Sequence, residues 1–576
     1  MSSIAARLSA RKSIDQLHAE SERSGLRRAL GPLDLTMLGV GAIVGAGIFA
    51  TIGEAGGAAG PAVVVSFAFT AFACALAGLC YAELTSVVPI AGSAYTYAYA
   101  TLGEFVAWVI GWDLILEYAI GNVGVAISWA DYTYSLFGEL GIQFPAWLAK
   151  DPRFLSDPAG DPRLQKLILE TAPRLGGHPV CFNLLAVSIT VLTTILLVRG
   201  VRESATVNNL IVALKLSVLL FVIGIGMTAW DTSRWGLSPF DWRKFAPNGW
   251  GGIAKGAGLL FFSYIGFDAV STAAEETRKP GRDLPIGILG SLLICTALYV
   301  AIGFVATGLV PYEDLRGKAD PLAVAVGATG KSWAKLIVSL GAMFSMTAVL
   351  IVFQMGQPRI LMSMARDGLL PPYFARIHPR FGTPAGSTIL TGVLVGAFSA
   401  LANISEIVNL VNIGTLFAFV IVCIGTLVLR QREPALHRPF RTPGIRVVAP
   451  LGALTCVYLM TQLSPENWSR LGFWLLIGLN AYFGYAFPRG AREPAAARVA
   501  RRWSCLVFAL LVGAAGLFLW QGDAWLGARV DTPAGPKTLW EVWVGFPPGM
   551  AHGMALFFAA LVLWNVWYVL RPTRAR

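Results

Sequence analysis

The sequence predicts an all-α polytopic membrane protein, and three observations predict it. Of the 576 residues, 55% are hydrophobic and 14% charged, with a mean hydropathy of +0.63. Water-soluble and disordered chains of this length do not have that balance. The apolar residues gather into fourteen segments of roughly 20 or more residues, the length that spans a bilayer. They begin near residues 33, 60, 93, 181, 204, 250, 285, 332, 386, 406, 445, 467, 502 and 548. The third observation is the placement of Lys and Arg, which collect in alternate short loops: Arg199 and Arg202; Arg278, Lys279 and Arg282; Arg359, Arg366, Arg376 and Arg380; Arg430, Arg432, Arg438, Arg441 and Arg446. Positive residues stay inside, so both termini are expected in the cytoplasm. This bias also accounts for the net charge of +12, and no nucleic-acid partner is needed to explain it.

The elements follow in order. Residues 1–32 are polar and basic with no apolar core, so they read as a cytoplasmic N-terminal tail and not as a cleaved signal. They form either a basic amphipathic helix on the membrane surface or a frayed tail. The longest hydrophilic insertion, residues 131–179, falls between the third and fourth segments. The ninth and tenth segments are divided only by a short turn near Asn403. The seven cysteines lie in or beside apolar segments without metal or redox spacing, and the five histidines do not pair. They are packing residues, and neither a metal nor a cofactor is expected.

Two segments are interrupted in a similar way. The first reads LGVGAIVGAGIFATIG, with Gly39, Gly41, Gly45 and Gly47 about its middle. The sixth reads FFSYIGFDAVSTAAEE, centred on Gly266. Interrupted segments at corresponding places, five apart, point to a transporter built of inverted repeats. Unwound backbone at membrane depth is tolerated only against protein or a cavity. For Gly41 and Gly45 the competing reading is close helix packing through small residues.

Lys215 lies near the centre of an apolar stretch, residues 204–230, that holds no other charge. An ammonium at the bilayer centre costs about 3 kcal/mol on insertion scales. The headgroups are roughly 15 Å away, half of a core of about 30 Å, beyond easy reach of a lysine stem. Lys215 is therefore expected to face the bundle interior, as a built-in cation. Asp113 and Glu117, four apart, share one face of the third segment, with Glu117 the deeper.

The stretches GVGAIVGAGIF (39–49), AGLCYAELTSVVPIAGSAYTYAYATLGEFVAWVIGWDLILEY (77–118), FFSYIGFDAVSTAAEETRKPGRDLPIGI (261–288) and GQPRILMSMARDGLLPPYFARIHPRFGTP (356–384) resemble the cationic amino acid transporter family of the amino acid–polyamine–organocation superfamily. The resemblance covers essentially the whole chain and is weakest in the last four segments. It implies a LeuT-like 5+5 inverted repeat with broken helices 1 and 6, followed by four peripheral helices. The first repeat would be residues 33–230, the second 231–433, and the peripheral helices with the C-terminal tail 434–576.

By the same resemblance, a zwitterionic substrate sits between the two breaks. Its carboxylate meets backbone N–H groups of Gly45, Ala46 and Gly47 at the start of a half-helix. Many superfamily members carry a hydroxyl between these glycines. Here Ala46 stands in that place, leaving backbone N–H groups or water. The substrate ammonium meets the carbonyls of Ile43, Phe262 and Ile265, and Phe262 takes the place of an aromatic gate. Glu117 either faces the substrate or supports unwound backbone. Glu104 matches a shared glutamate with a structural role, and Asp268 caps or pairs near the second break. Lys215 matches the lysine that takes the place of a sodium ion in prokaryotic relatives. It either exchanges a proton in each cycle or serves as a fixed strut.

The expected function is secondary active amino acid transport by alternating access in a bacterial inner membrane. The expected mode is proton symport of cationic and/or small neutral L-amino acids. The alternatives are uncoupled exchange of cationic amino acids and a non-transporting amino-acid sensor, the latter expected to carry a signalling domain that these short tails lack. No nucleophile, base and metal constellation supports an enzyme, and no charged ring supports a channel. The expected partners are the amino acid substrate, protons and membrane lipid; a small membrane peptide or an oligomeric partner stays open.

Overall fold

The computed structural model describes residues 8–14, 16–17, 28–90, 92–156, 161–175, 178–200, 205–236, 241–318, 320–487, 529–532 and 535–538. The last two segments of the sequence reading, near 502 and 548, lie outside the described residues.

Apolar runs become helices because only a helix satisfies its backbone within one segment in lipid. They are α1 (Pro32–Ile43), α2 (Ile52–Ala59), α3 (Val63–Val87), α4 (Glu104–Glu139), α5 (Leu184–Arg199), α6 (Ala205–Gly226), α7 (Gly249–Leu260), α8 (Pro280–Leu309), α9 (Ser332–Arg366), α10 (Ala385–Leu401), α11 (Ile404–Arg432), α12 (Ile445–Thr461) and α13 (Pro465–Ala481). Among the described residues, seven helical runs are long and apolar enough to cross a membrane, or eight if α12 and α13, bent at 113°, count as one span. Two further apolar helices, α5 and α10, are shorter. The chain is a multi-pass membrane protein. Two small antiparallel ribbons are also described, Arg174–Leu175 with His178–Pro179 and Arg529–Thr532 with Gly535–Thr538.

The core forms where helices distant in sequence meet. α4 packs along α9, α3 along α8, and α5 along α10, while α1 lies against α6 and α8. Small residues set how closely they approach. A Cβ on Gly39 would lie 2.5 Å from the Ser291 side chain, one on Gly41 would lie 2.9 Å from Val212, and one on Gly45 would lie 2.7 Å from Val349. These three glycines are helix-packing positions.

Three elements differ from the sequence reading. The third segment splits into a short helix, Ser93–Thr101, and α4, because Gly103 turns the chain at φ +110°. α4 then continues to Glu139, so the hydrophilic insertion starts later than residue 131. The helix carries Asp131 because its carboxylate meets the Lys150 ammonium at 2.6 Å with both side chains buried. The N-terminal segment, where described, is docked on the bundle by specific contacts. Leu17 is buried, the Glu104 N–H donates to the Ala10 carbonyl (2.8 Å), and Lys12 pairs with Asp367 at 2.6 Å.

Gly266 and Gly47 join the two interrupted runs backbone to backbone. At Gly266, φ is +119° and an added Cβ would sit 2.9 Å from the Ala42 carbonyl; at Gly47 it would sit 2.3 Å from the Ser263 Cα. Gly266→Ala should therefore cost about 1–2 kcal/mol for its backbone conformation and about 1–3 kcal/mol for overpacking. Gly47→Ala should show the second cost alone. Gly56→Ala, inside α2 and with nothing within 4 Å of the new Cβ, should not lower the melting temperature of the detergent-solubilised protein and should raise it slightly, with up to about 1 kcal/mol from helix propensity. Fluorescence-detected thermal unfolding of the three variants checks the order.

Candidate functional site

α1 stops at Ile43, where Val44 leaves the helical path at ψ 98°. The chain resumes as a π-turn, Gly47–Thr51, and then α2. Such a break frees carbonyls that have no donor inside the helix. Three side chains from three helices take them. Lys215 Nζ on α6 donates to the Gly41 carbonyl (2.8 Å) and the Val44 carbonyl (3.3 Å). Ser345 Oγ on α9 donates to the Val44 carbonyl (2.8 Å), and the Tyr299 hydroxyl on α8 to the Ile43 carbonyl (3.0 Å). Lys215 is 2% exposed, whereas Leu210, Leu214 and Leu220 of the same helix are exposed. α6 thus turns leucines outward and its one charge inward. The carbonyl end of a helix carries partial negative charge, which suits the ammonium.

The second break has the same physical problem and a different answer. α7 ends at Leu260, a 3-10 turn covers Phe261–Tyr264, and Ile265 is extended before Gly266. The chain resumes as a 3-10 run, Asp268–Glu276. Asn412 on α11 donates through Nδ2 to the carbonyls of Gly258 (2.9 Å) and Leu259 (3.3 Å). Phe262 is buried, and its ring tip faces Gly124 of α4, where a Cβ would lie 3.5 Å away. The hydroxyls of Thr51 and Ser263 meet at 3.2 Å across the two runs, and Thr51 also donates to the Gly47 carbonyl.

The residues named from sequence therefore fall into three groups. Ile43, Gly45, Ala46 and Gly47 lie on the first break, with Lys215 bonded to it. Phe262 and Ile265 lie on the second. Glu117 and Asp268 form a separate buried acidic pair. Asp268 accepts the Tyr118 hydroxyl at 3.5 Å, and the Thr415 hydroxyl lies beside Glu117. Asp113, also buried, faces Gly414, whose added Cβ would lie 2.9 Å from Oδ1. Glu104 takes the structural role expected of it: it accepts the Tyr482 hydroxyl at 2.9 Å and the Tyr99 hydroxyl at 3.2 Å. Tyr299, Ser345 and Asn412 were not singled out from sequence. Each is a polar residue inside an apolar segment, and that was the available signal.

A cavity of about 750 Å³ lies beside the second run, lined by Thr272, Glu275, Glu276, Arg359, Arg366 and Asp367 among others. Lys12 of the N-terminal segment lines it as well. Asp367 also accepts the Tyr95 hydroxyl at 2.6 Å. On the other side of the bundle, Ser135 of α4 bonds Asp320 at 2.5 Å, and Lys335 of α9 pairs with Glu139.

Two broken helices apposed in a multi-pass bundle, one bonded by a buried ammonium, define the class of a membrane permease. The chain matches the amino acid permease family over residues 30–477, and it belongs to that family, within the amino acid–polyamine–organocation superfamily. It is 40% identical over 477 residues to the branched-chain amino acid permease BcaP of Bacillus subtilis, covering 83% of this chain and 97% of that one. It is 38% identical over 479 residues to the methylthioribose transporter of the same organism, with the same coverage. Over 428 residues it is 38% identical to the vacuolar cationic amino acid transporter 4 of Arabidopsis thaliana, covering 74% of this chain and 67% of that one.

If the side chains on the freed carbonyls hold the breaks, removing them should destabilise the bundle. Tyr299→Phe and Asn412→Leu should each cost about 1–3 kcal/mol, the penalty of a buried acceptor left without a donor. Ser217→Ala, on the exposed face of α6, should cost almost nothing. Thermal unfolding in one detergent compares all three.

Proposed function

We propose that this protein is a secondary active transporter of L-amino acids that works by alternating access and couples uptake to protons. The observation that carries the reading is the Lys215 ammonium on the carbonyls of the first break. A transporter of this build needs a cation at such a place, and here a side chain supplies it. A side-chain ammonium can exchange a proton, whereas a guanidinium does not deprotonate in proteins.

The proposed architecture is the LeuT-like 5+5 repeat, with residues 33–230 and 231–433 as the two halves and 434–576 peripheral. It is supported by the packing of α3 on α8, α4 on α9 and α5 on α10, each helix against the one five segments later. The proposed setting is a bacterial inner membrane with both termini cytoplasmic, as the basic loops favour.

The substrate lies between the breaks. The half-helix that starts at Gly45, Ala46 and Gly47 offers N–H groups and a positive dipole end to the carboxylate. The carbonyls of Phe262 and Ile265, with the second lone pair of the Ile43 carbonyl beside its Tyr299 bond, offer acceptors to the ammonium. Phe262 closes over the site. Glu117 and Asp268 lie beyond it as a buried acidic pair that either receives a cationic side chain or supports the inner half of the second run. The relatives include a branched-chain permease and cationic transporters, so the substrate class covers cationic and/or small neutral amino acids. A second reading rests on the two carbonyl bonds of Lys215. A fixed strut makes the same bonds, and the protein would then be an uncoupled exchanger.

Uptake of labelled arginine, leucine and alanine into sodium-free proteoliposomes tests the reading. Wild type should accumulate substrate when an inward proton gradient is imposed. Lys215→Arg should bind substrate and lose gradient-driven accumulation; full accumulation by this variant would leave only the strut. Glu117→Gln should weaken arginine at least tenfold more than alanine if the acid senses a cationic side chain. Equal losses for the two substrates would assign it to backbone support.

A further inference from the structure

An apolar groove of about 650 Å³ runs along the outside of α8, away from both breaks. One wall is α8 itself, from Pro285 and Ile286 to Leu293. The other wall is Pro439 and Phe440, in the connection between α11 and α12. Ile286 and Leu293 are exposed, Leu293 to 73%. From Lys279 to Leu293 the helix rises about 20 Å, somewhat more than one leaflet of a hydrocarbon core of about 30 Å. The groove therefore starts at a membrane surface and ends near the midplane.

Its mouth is basic. Lys279 and Arg282 line it at the first turn of α8, and both are exposed. Among the described residues, neither makes an ion pair. Pro285 has no N–H to give the Gly281 carbonyl one turn back, so the mouth also offers an acceptor to a hydroxyl.

The second wall is firmly built. Glu83 of α3, almost fully buried, accepts Arg430 Nε (3.0 Å), Arg430 Nη2 (2.6 Å) and the Thr442 N–H (2.8 Å), and it forms an ion pair with the Arg438 guanidinium at 3.3 Å. The Phe440 N–H donates to Ser86 Oγ at 3.4 Å. Gly281 lets the first turn of α8 reach this wall: a Cβ there would lie 2.7 Å from Pro439. The wall is thus fixed at the end where the headgroup would sit.

We propose that this groove binds an anionic glycerophospholipid. The phosphate lies against Lys279 and Arg282, a headgroup hydroxyl donates to the Gly281 carbonyl, and one acyl chain runs over Ile286 toward Leu293. Charge and shape select this occupant together. A basic mouth at the membrane surface attracts an anionic headgroup, and the apolar floor below it takes a chain and no further polar group. The site adjoins the joint that follows the second broken run, where the Arg278 N–H donates to the Leu30 carbonyl at 2.9 Å. It is independent of the substrate reading.

Native mass spectrometry of the full-length protein, titrated with phosphatidylglycerol or phosphatidylcholine, tests the proposal. Wild type should hold one phosphatidylglycerol in preference to phosphatidylcholine. Lys279→Gln and Arg282→Gln should each weaken phosphatidylglycerol about fivefold and leave phosphatidylcholine unchanged. Arg376→Gln, an exposed basic residue on another loop, should change neither. Leu293→Trp, which fills the groove from its exposed side, should weaken phosphatidylglycerol with its charge contacts intact. Equal retention of the two lipids by wild type, or unchanged phosphatidylglycerol binding in the Lys279→Gln/Arg282→Gln double variant, would overturn the proposal. Displacement of the lipid by inorganic phosphate at matching concentration would assign the basic mouth to a small anion and overturn it equally.

Discussion

The carbonyls freed where α1 stops are the constraint on which the rest of the bundle depends. In lipid, an unsatisfied carbonyl costs several kcal/mol, so a helix can be interrupted at membrane depth only where other helices bring donors. Here α6, α8 and α9 each bring one: Lys215, Tyr299 and Ser345. Their convergence fixes where three helices stand relative to the break. The second break is held more simply, by the amide of Asn412 from α11. One break thus receives a charge and the other a neutral donor. This asymmetry places a buried charge at the first break, whereas the Asn412 amide at the second carries none.

Glycine makes the contact between the runs, and each glycine does so for its own reason. Gly266 has a backbone conformation that L side chains rarely adopt, and it presses on Ala42. Gly47 has ordinary geometry but touches the Ser263 backbone. Gly39, Gly41 and Gly45 serve neighbouring helices. A pattern that looks uniform in sequence is therefore three kinds of position in space. Branched residues at Gly47 or Gly266 would push the two runs apart.

The apolar segments that fall on described residues were legible in the sequence because length and hydropathy require helices there. The interior placement of Lys215 was legible because the depth argument left it no route to water. The two breaks were legible from glycine spacing, and the division near Asn403 corresponds to the gap between α10 and α11. The start of α4 was not, because the turn at Gly103 depends on the conformation of one residue inside a continuous apolar stretch. The extension of α4 past Asp131 was hidden for a related reason: its acid is neutralised by Lys150, which lies in a loop whose course no local pattern reveals. Ser345 and Asn412 were passed over because a short hydroxyl or amide side chain in a helix often bonds its own backbone, and Tyr299 because an aromatic residue in an apolar segment reads as packing. Only the fold shows that these three reach another helix. The seat of the N-terminal segment on Asp367 is likewise a long-range pairing without a local signature.

The central claim is that the cation bonded to the first break takes up and gives up a proton as substrate moves. Sodium-free proteoliposomes holding a pH-sensitive dye measure this most directly, with substrate added outside and no gradient imposed. The account predicts that substrate influx acidifies the lumen and that the acidification stops when influx stops. Substrate influx with an unchanged lumenal pH would contradict it.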